Sequence, residues 1–414
     1  MRKRITQSLL ACCLAGFMLA LPAACSPATQ GTAEKPPHTV QRNAPAEQQP
    51  AQEEKIDPEA EREKQASELV AKMSTEEKVA QIFVVSPESA AHFSGTVTAA
   101  GEVSREAFNA RPVGGIVYSA INLDTPQQTK QMLETMQKTS LERLGLPLFT
   151  CVDEEGGTVA RVSGQRAMGV ESYPDMREVG DAGDLERAEQ IGAEMGKYLT
   201  DLGFNVDFAP VADVVTNPDN YVVDVRAFGS DPQLVADMDS AFTRGLHKHP
   251  ILATYKHFPG HGSTAEDSHA ETAIAQSDKA AFENVDLLPF KQGIADGVQL
   301  MMVGHITFPN INDESVPASL SEWALQDVAR EQLGFEGILI TDSMQMGAIT
   351  NHYSASEAAV ASFRAGIDMI LMPADFDAAY EGILAAVRDG TISQQRLDES
   401  LVRIIKTKLD LAKK

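Results

Sequence analysis

One run concentrates the residue types that do chemistry: Lys256-His257-Phe258-Pro259-Gly260-His261-Gly262, leading on to Asp267-Ser268-His269. A lysine beside a histidine at the end of an apolar run, Ile251 to Tyr255, is costly to bury unless both find partners. Polar groups held at a strand end by a rigid scaffold more often make a site than a support. In Asp267-Ser268-His269 the acid and the imidazole fall on the same side of an extended backbone. A carboxylate so placed orients the imidazole and raises its pKa, so that it can give up a proton near neutral pH and take one back. The plain alternative is a loop hydrogen bond. A further acid, Asp342, follows the apolar run Gly337 to Thr341 and precedes Ser343-Met344. Either it caps the next helix or it is a carboxylate nucleophile. With a proton donor beside it, such a carboxylate cleaves a glycosidic bond with retention of configuration.

Other chemistries fit less well. His257, His261, His269 and His305 with Asp267 could suggest a zinc or iron site, but the spacings match no H-E-x-x-H or other helical ligand pattern. Lys256 would also sit badly beside a cation, so no metal is expected. No G-x-G-x-x-G opens a helix after the first strands, which weakens a dinucleotide reading, and no cofactor is expected. The net charge of -24 argues against nucleic acid as a partner. Cys12, Cys13 and Cys25 lie in or at the end of the leader, and only Cys151 lies in the folded part. No disulfide can then form within the domain, and Cys151, inside an apolar run, reads as a small buried hydrophobe.

The elements that must position these groups alternate in type. Apolar runs fall at 82–85, 115–118, 148–152, 206–210, 252–255, 300–303, 338–341 and 369–372. They are continuously apolar, as strands covered on both faces should be. Helix-sized stretches separate most of them: 184–202, 232–249, 286–296, 321–332 and 356–365. With 414 residues and 43% hydrophobic content there is ample material for a large core. Eight strand–helix units predict an α/β fold, a (β/α)8 TIM-type barrel forming one catalytic domain, with a doubly wound open sheet as the competing architecture. In such a barrel the site lies at the C-terminal strand ends. Those ends carry Asp153-Glu154-Glu155, Asp213 with Arg226 further on, Lys256-His257, His305 and Asp342. One such group is explained as a helix cap; a consecutive series mixing acids and bases is not.

The ends of the chain have their own signals. Residues 1–25 read as a signal peptide, with Met1-Arg2-Lys3-Arg4 ahead of a short apolar stretch from Leu9 to Leu21. Ala23-Ala24-Cys25 resembles the end of a lipoprotein cleavage box, which would make Cys25 the lipidated first residue; ordinary cleavage near Ala24 is the competing reading. Residues 26–56, rich in Pro, Ala, Gln, Thr and Glu, are expected to be a disordered tether. The catalytic domain then spans 57–414. Asp57-Pro58 starts a helix, and Ser74-Thr75-Glu76-Glu77 a second one through a capping box. An amphipathic helix at 397–411 ends the chain.

A resemblance runs from about Met73 to Met372. It is carried by Met73-Ser74-Thr75-Glu76-Glu77-Lys78, Asp153-Glu154-Glu155-Gly156-Gly157, Asn217-Pro218, Arg226-Ala227-Phe228-Gly229, the Lys256–Gly262 run with Asp267-Ser268-His269, and Ile340-Thr341-Asp342-Ser343-Met344. These segments resemble the β-N-acetylhexosaminidase branch of glycoside hydrolase family 3. The resemblance implies a (β/α)8 barrel, Asp342 as nucleophile, and His269 oriented by Asp267 as acid/base. Asp153, Arg161, Arg226, Lys256 and His257 would hold the hydroxyls of a non-reducing-end N-acetylglucosamine, with His305 also counted among the substrate-binding groups. The expected partner is a GlcNAc-terminated glycan or muropeptide, and the expected state a monomer held at the cell envelope by its lipid. A β-N-acetylglucosaminide phosphorylase and a non-catalytic tethered sugar-binding lipoprotein are the alternatives. The chain departs from the family pattern at Tyr221 and Asp224, where Pro and Gly are usual, at Glu154 for Gln, and at Thr158 for Arg.

Overall fold

In the computed structural model of the chain, residues 57–265, 268 and 270–413 are described. The leader with Cys25, the tether, and the pair Asp267 and His269 lie outside the described residues.

Eight parallel strands follow the chain in order: β1 (Phe83–Val85), β2 (Gly115–Tyr118), β3 (Phe149–Val152), β4 (Val206–Asp207), β5 (Leu252–Phe258), β6 (Leu300–Val303), β7 (Ile338–Thr341) and β8 (Ile370–Leu371). Each pairs in parallel with its sequence neighbour from β1 to β7, and β8 pairs with β1. The ring closes between β7 and β8 through a bridge of Ile340 to Met369. At this seam Thr341 donates its N–H to Met369 O at 3.0 Å and accepts Leu371 N–H on Oγ1 at 3.0 Å. Asp368, fully buried just before β8, accepts Leu339 N–H at 2.9 Å and Arg330 Nη2 at 2.5 Å on one oxygen. Its other oxygen accepts Ser400 Oγ–H at 2.6 Å and Arg403 Nη1 at 3.1 Å. This is the (β/α)8 barrel that the strand count predicts.

The strands form where the sequence is continuously apolar because helices cover their outer faces and side chains fill the ring. β2, β6 and β7 match the apolar runs residue for residue. β5 is longer, carrying its extended backbone through Lys256 and His257 to Phe258. β4 is shorter: its regular pairing ends at Asp207, and beyond it the chain keeps to β5 through Thr254 N–H on Ala209 O at 2.9 Å and a bridge of Val211 to Lys256. The peptides Ala209–Pro210, Lys256–His257 and Phe258–Pro259 are cis. Between strands, the helices Leu185–Leu202 and Pro232–Leu246 cross closely. A Cβ on Gly192 would stand 2.1 Å from Phe242 O, and one on Gly245 2.1 Å from Glu189 O, so glycine is required on both faces. The stretch predicted at 321–332 is helical over Trp323–Gln332 with π-type hydrogen bonds.

At the N-terminal base of the barrel, the first and last helices pack together. Asp57 caps Pro58–Val70 by accepting Glu59 N–H at 3.0 Å, and Ser74 and Glu77 form the expected reciprocal capping box. Arg62 pairs with Asp410 at 2.7 Å and Lys406 with Glu59 at 3.0 Å. From the final helix, Gln394–Leu411, Lys408 inserts beneath the strands. Its ammonium donates to Gln81 Oε1 at 2.8 Å and lies 5.0 Å from the Phe149 ring centre.

Candidate active site

The strand ends open on a cavity of about 630 Å³ at the C-terminal face of the barrel. Asp153, Glu155, Arg161, Arg226, Lys256, His257 and Asp342 all line it. Six of these were named from the sequence as site groups; Glu155 was noted only as part of a strand end.

The β3 end and β5 end meet in one ion-pair network. Lys256, 2% exposed, places its ammonium 2.8 Å from Asp153 Oδ1 and 2.6 Å from Glu155 Oε1. Arg226 grips Glu155 with two parallel bonds, Nε to Oε2 at 2.8 Å and Nη2 to Oε1 at 2.7 Å. Burial alone would raise the Glu155 pKa; the charges of Arg226 and Lys256 outweigh it and hold the carboxyl well below its ordinary range. Burial likewise opposes the charge on Lys256, and Asp153 and Glu155 overcome it, so its pKa lies above the usual lysine value.

His257 is oriented from behind. Its Nδ1–H donates to Asp213 Oδ2 at 2.8 Å, which leaves Nε2 facing Arg226 Nη2 at 3.5 Å. Asp213, fully buried, also accepts the backbone N–H of His261 at 2.6 Å. The sequence placed Asp213 at a strand end but gave no sign of this role. His261 is buried between Thr264 Oγ, 2.7 Å from its Nδ1, and Ser268 Oγ, 3.1 Å from its Nε2. Burial pushes its pKa down to about 4, so it is neutral at physiological pH. It thereby holds Ser268, the middle residue of Asp267-Ser268-His269.

Asp342 stands at the end of β7, half-buried, with its N–H donating to Val303 O at 2.9 Å. Its Oδ1 accepts Ser343 N–H at 2.7 Å. Burial would raise its pKa, but the imidazoles of His257 and His305, the Ser343 N–H and the Lys256 ammonium hold it below the ordinary carboxylate range. No helix starts on it directly; the next one begins at Gly347, with Met346 at the cap position. The helix-capping alternative therefore does not account for Asp342. His305 is placed differently from the others. It is fully buried, with Nδ1 2.7 Å from Ser319 Oγ and Nε2 3.0 Å from Ser343 O, so it reaches the cavity through the neighbour of Asp342.

Two departures from the resemblance find a structural account. Glu154 accepts Val162 N–H at 2.7 Å, Ser163 N–H at 2.8 Å and Tyr198 O–H at 2.7 Å, which fixes the turn just after Arg161. Thr158 donates its N–H and its hydroxyl to Asp175 Oδ1 at 2.6 and 2.8 Å.

The family profile described as the glycosyl hydrolase family 3 N-terminal domain matches residues 74–407, which is most of the chain. The chain belongs to glycoside hydrolase family 3. Among its relatives, the beta-hexosaminidase A of Pseudoalteromonas piscicida is 31% identical over 324 residues, covering 72% of this chain and 54% of that protein. The beta-hexosaminidase of Nitrosomonas eutropha is 34% identical over 275 residues, 65% of this chain and 76% of that protein. A family 3 β-N-acetylglucosaminidase structure from Paenibacillus sp. str. FPU-7 superposes with a TM-score of 0.76 at 34% identity, over 82% of this chain and 63% of that one. The chain thus spans about half the length of the Pseudoalteromonas relative and under two thirds of the Paenibacillus chain.

For a family 3 site, the charge balance is informative. Among the described residues, the cavity is lined by three carboxylates, Asp153, Glu155 and Asp342, and three permanent cations, Arg161, Arg226 and Lys256. A near-neutral lining dense in donors and acceptors suits an uncharged polyhydroxylated ring better than an anion.

Proposed function

We propose that the chain is a retaining exo-β-N-acetylglucosaminidase. The observation that carries this reading is Asp342: an ionised carboxylate at the end of β7, facing the same charge-balanced cavity as the Asp153–Lys256–Glu155–Arg226 network. Asp342 attacks the anomeric carbon, while protonated His269, oriented by Asp267, gives its proton to the departing oxygen. The covalent glycosyl–enzyme bond is then broken by water. Neutral His269 takes the water's proton, and N-acetylglucosamine leaves with its β configuration retained. Asp153, Arg161, Arg226, Lys256 and His257 hold its hydroxyls, and His305 steadies the Asp342–Ser343 loop. The names of the relatives, two beta-hexosaminidases and a β-N-acetylglucosaminidase, support a hexosamine ring as the sugar released.

The substrate we infer is GlcNAc-MurNAc material from peptidoglycan, met outside the cytoplasmic membrane by a lipoprotein anchored through Cys25. The basic and apolar leader supports export, and Ala23-Ala24-Cys25 supports the anchor. The mass of the membrane-extracted protein tests the lipid directly: an unmodified N-terminus at Cys25, or cleavage elsewhere, refutes it.

The activity is tested by nitrophenol release from the β-N-acetylglucosaminide and the β-glucoside, with and without phosphate. His269→Ala should lose about two to four orders of magnitude on the first substrate, and Asp342→Ala nearly all activity. A phosphate-stimulated reaction yielding a sugar phosphate would make the enzyme a phosphorylase. Sugar binding by the wild type without turnover would leave only a receptor.

A further inference from the structure

The segment from Asn217 to Arg226 is pinned from three sides. Asn220, buried, donates from Nδ2 to His261 O at 2.8 Å and accepts Val222 N–H and Val223 N–H on Oδ1 at 3.0 and 3.1 Å. Asp224 accepts Arg177 Nη2 at 3.0 Å, and Arg177 N–H donates to Val225 O at 3.1 Å. Val222 O accepts Arg226 Nη1 at 3.1 Å, from the same guanidinium that grips Glu155. Between these anchors Tyr221 is 70% exposed, more than any other large hydrophobic side chain among the described residues. Its neighbour Val222 lines the catalytic cavity. Thus an aromatic ring is displayed to water on a fixed backbone, one residue from the cavity wall. It stands where the family pattern has proline, and Asp224, the other departure, is one of the anchors.

We propose that Tyr221 is the platform for the sugar ring on the leaving-group side of the scissile bond, making it a specificity-determining residue for a second β-linked N-acetylhexosamine. The inference rests on the glycosidase reading above. The floor of the cavity is closed by the barrel, so a leaving group must emerge at the rim, where the Asn217–Arg226 segment lies. A pyranose chair presents a face of C–H bonds that packs against an aromatic ring, while the phenol keeps its hydroxyl in water. Tyrosine supplies that area with few rotors to immobilise, and the pinned backbone removes most of the remaining ordering cost. Ile121, 63% exposed on the loop after β2 and also lining the cavity, adds a second apolar group near the opening.

The test compares two substrates of the full-length protein: a β-1,4-linked disaccharide of N-acetylglucosamine, and N-acetylglucosaminyl fluoride, which has no leaving-group ring. In Tyr221→Ala the ratio of kcat/KM for the disaccharide to that for the fluoride should fall about tenfold, largely through the disaccharide KM, and Tyr221→Trp should keep it within about twofold of wild type. A ratio unchanged in Tyr221→Ala overturns the platform, whether or not both rates fall together. A wild type that turns over neither substrate overturns the glycosidase reading and the platform with it. A wild type active on both, with an insensitive ratio, overturns the platform alone.

Discussion

Lys408 sits at the base of the barrel without a salt bridge among the described residues, holding only Gln81 Oε1 at 2.8 Å and the Phe149 face. Burial lowers its pKa from the ordinary 10.5 to about 7. Such a lysine sheds its proton on folding, so between about pH 7 and pH 10.5 the unfolded chain binds more protons than the folded one. Stability therefore rises with pH across that window and is lowest below it. The drop of about 3.5 pH units corresponds to roughly 4 kcal/mol of destabilisation near pH 7 and under about 1 kcal/mol near pH 10. Lys408→Met removes that cost but leaves Gln81 Oε1 without its donor and loses the ring contact, a loss of about 2 kcal/mol. The variant should then be more stable than wild type by about 2 kcal/mol near pH 7 and less stable by about 1 kcal/mol near pH 10. Urea unfolding of both proteins at the two pH values measures this, and taking the difference cancels every group they share. A stability difference that is the same at both pH values would refute the reasoning, because it would mean that Lys408 does not titrate between them.

Three further outcomes follow from the network. Glu154→Gln, which restores the residue more usual in the family, should cost about 1–3 kcal/mol in urea unfolding, because an amide NH₂ would face one of the backbone donors the carboxylate now satisfies. Glu155→Gln removes the anion between Arg226 and Lys256. It should lower kcat/KM on the nitrophenyl glycoside by about 100-fold or more and destabilise the fold by about 3 kcal/mol. Asp213→Asn should leave the fold intact but release His257 from its fixed tautomer, lowering kcat/KM about 10- to 100-fold in steady-state assays.

The barrel was legible because its strands are buried on both faces and so remain continuously apolar. Where the match fails, longer-range contacts decide. β4 stops at Asp207 because its regular pairing with β5 breaks off there, although the apolar run continues to Pro210, and no local periodicity reports that break. Helix Pro232–Leu246 ends three residues before His249, the end expected from the sequence. The cavity residues were legible as charged groups at consecutive strand ends, a pattern that capping does not produce. What the sequence could not supply was their pairing. Glu155 meets Arg226 across 71 positions and Asp213 meets His257 across 44, and neither partner carries a local mark. Lys408, 327 positions from Gln81, read as one more charge on an amphipathic helix. His305 stood at a strand end like the others, yet its ring faces two serines behind the cavity wall.

The pairing of the first and last helices has a mechanical consequence. Arg62 with Asp410, and Glu59 with Lys406, fasten the start of the folded chain beside the helix whose Lys408 plugs the barrel base. Asp57 is therefore at the pole opposite the catalytic mouth. A load applied at Asp57 is carried by the floor of the barrel through these two ion pairs, and the shape of the mouth is spared it.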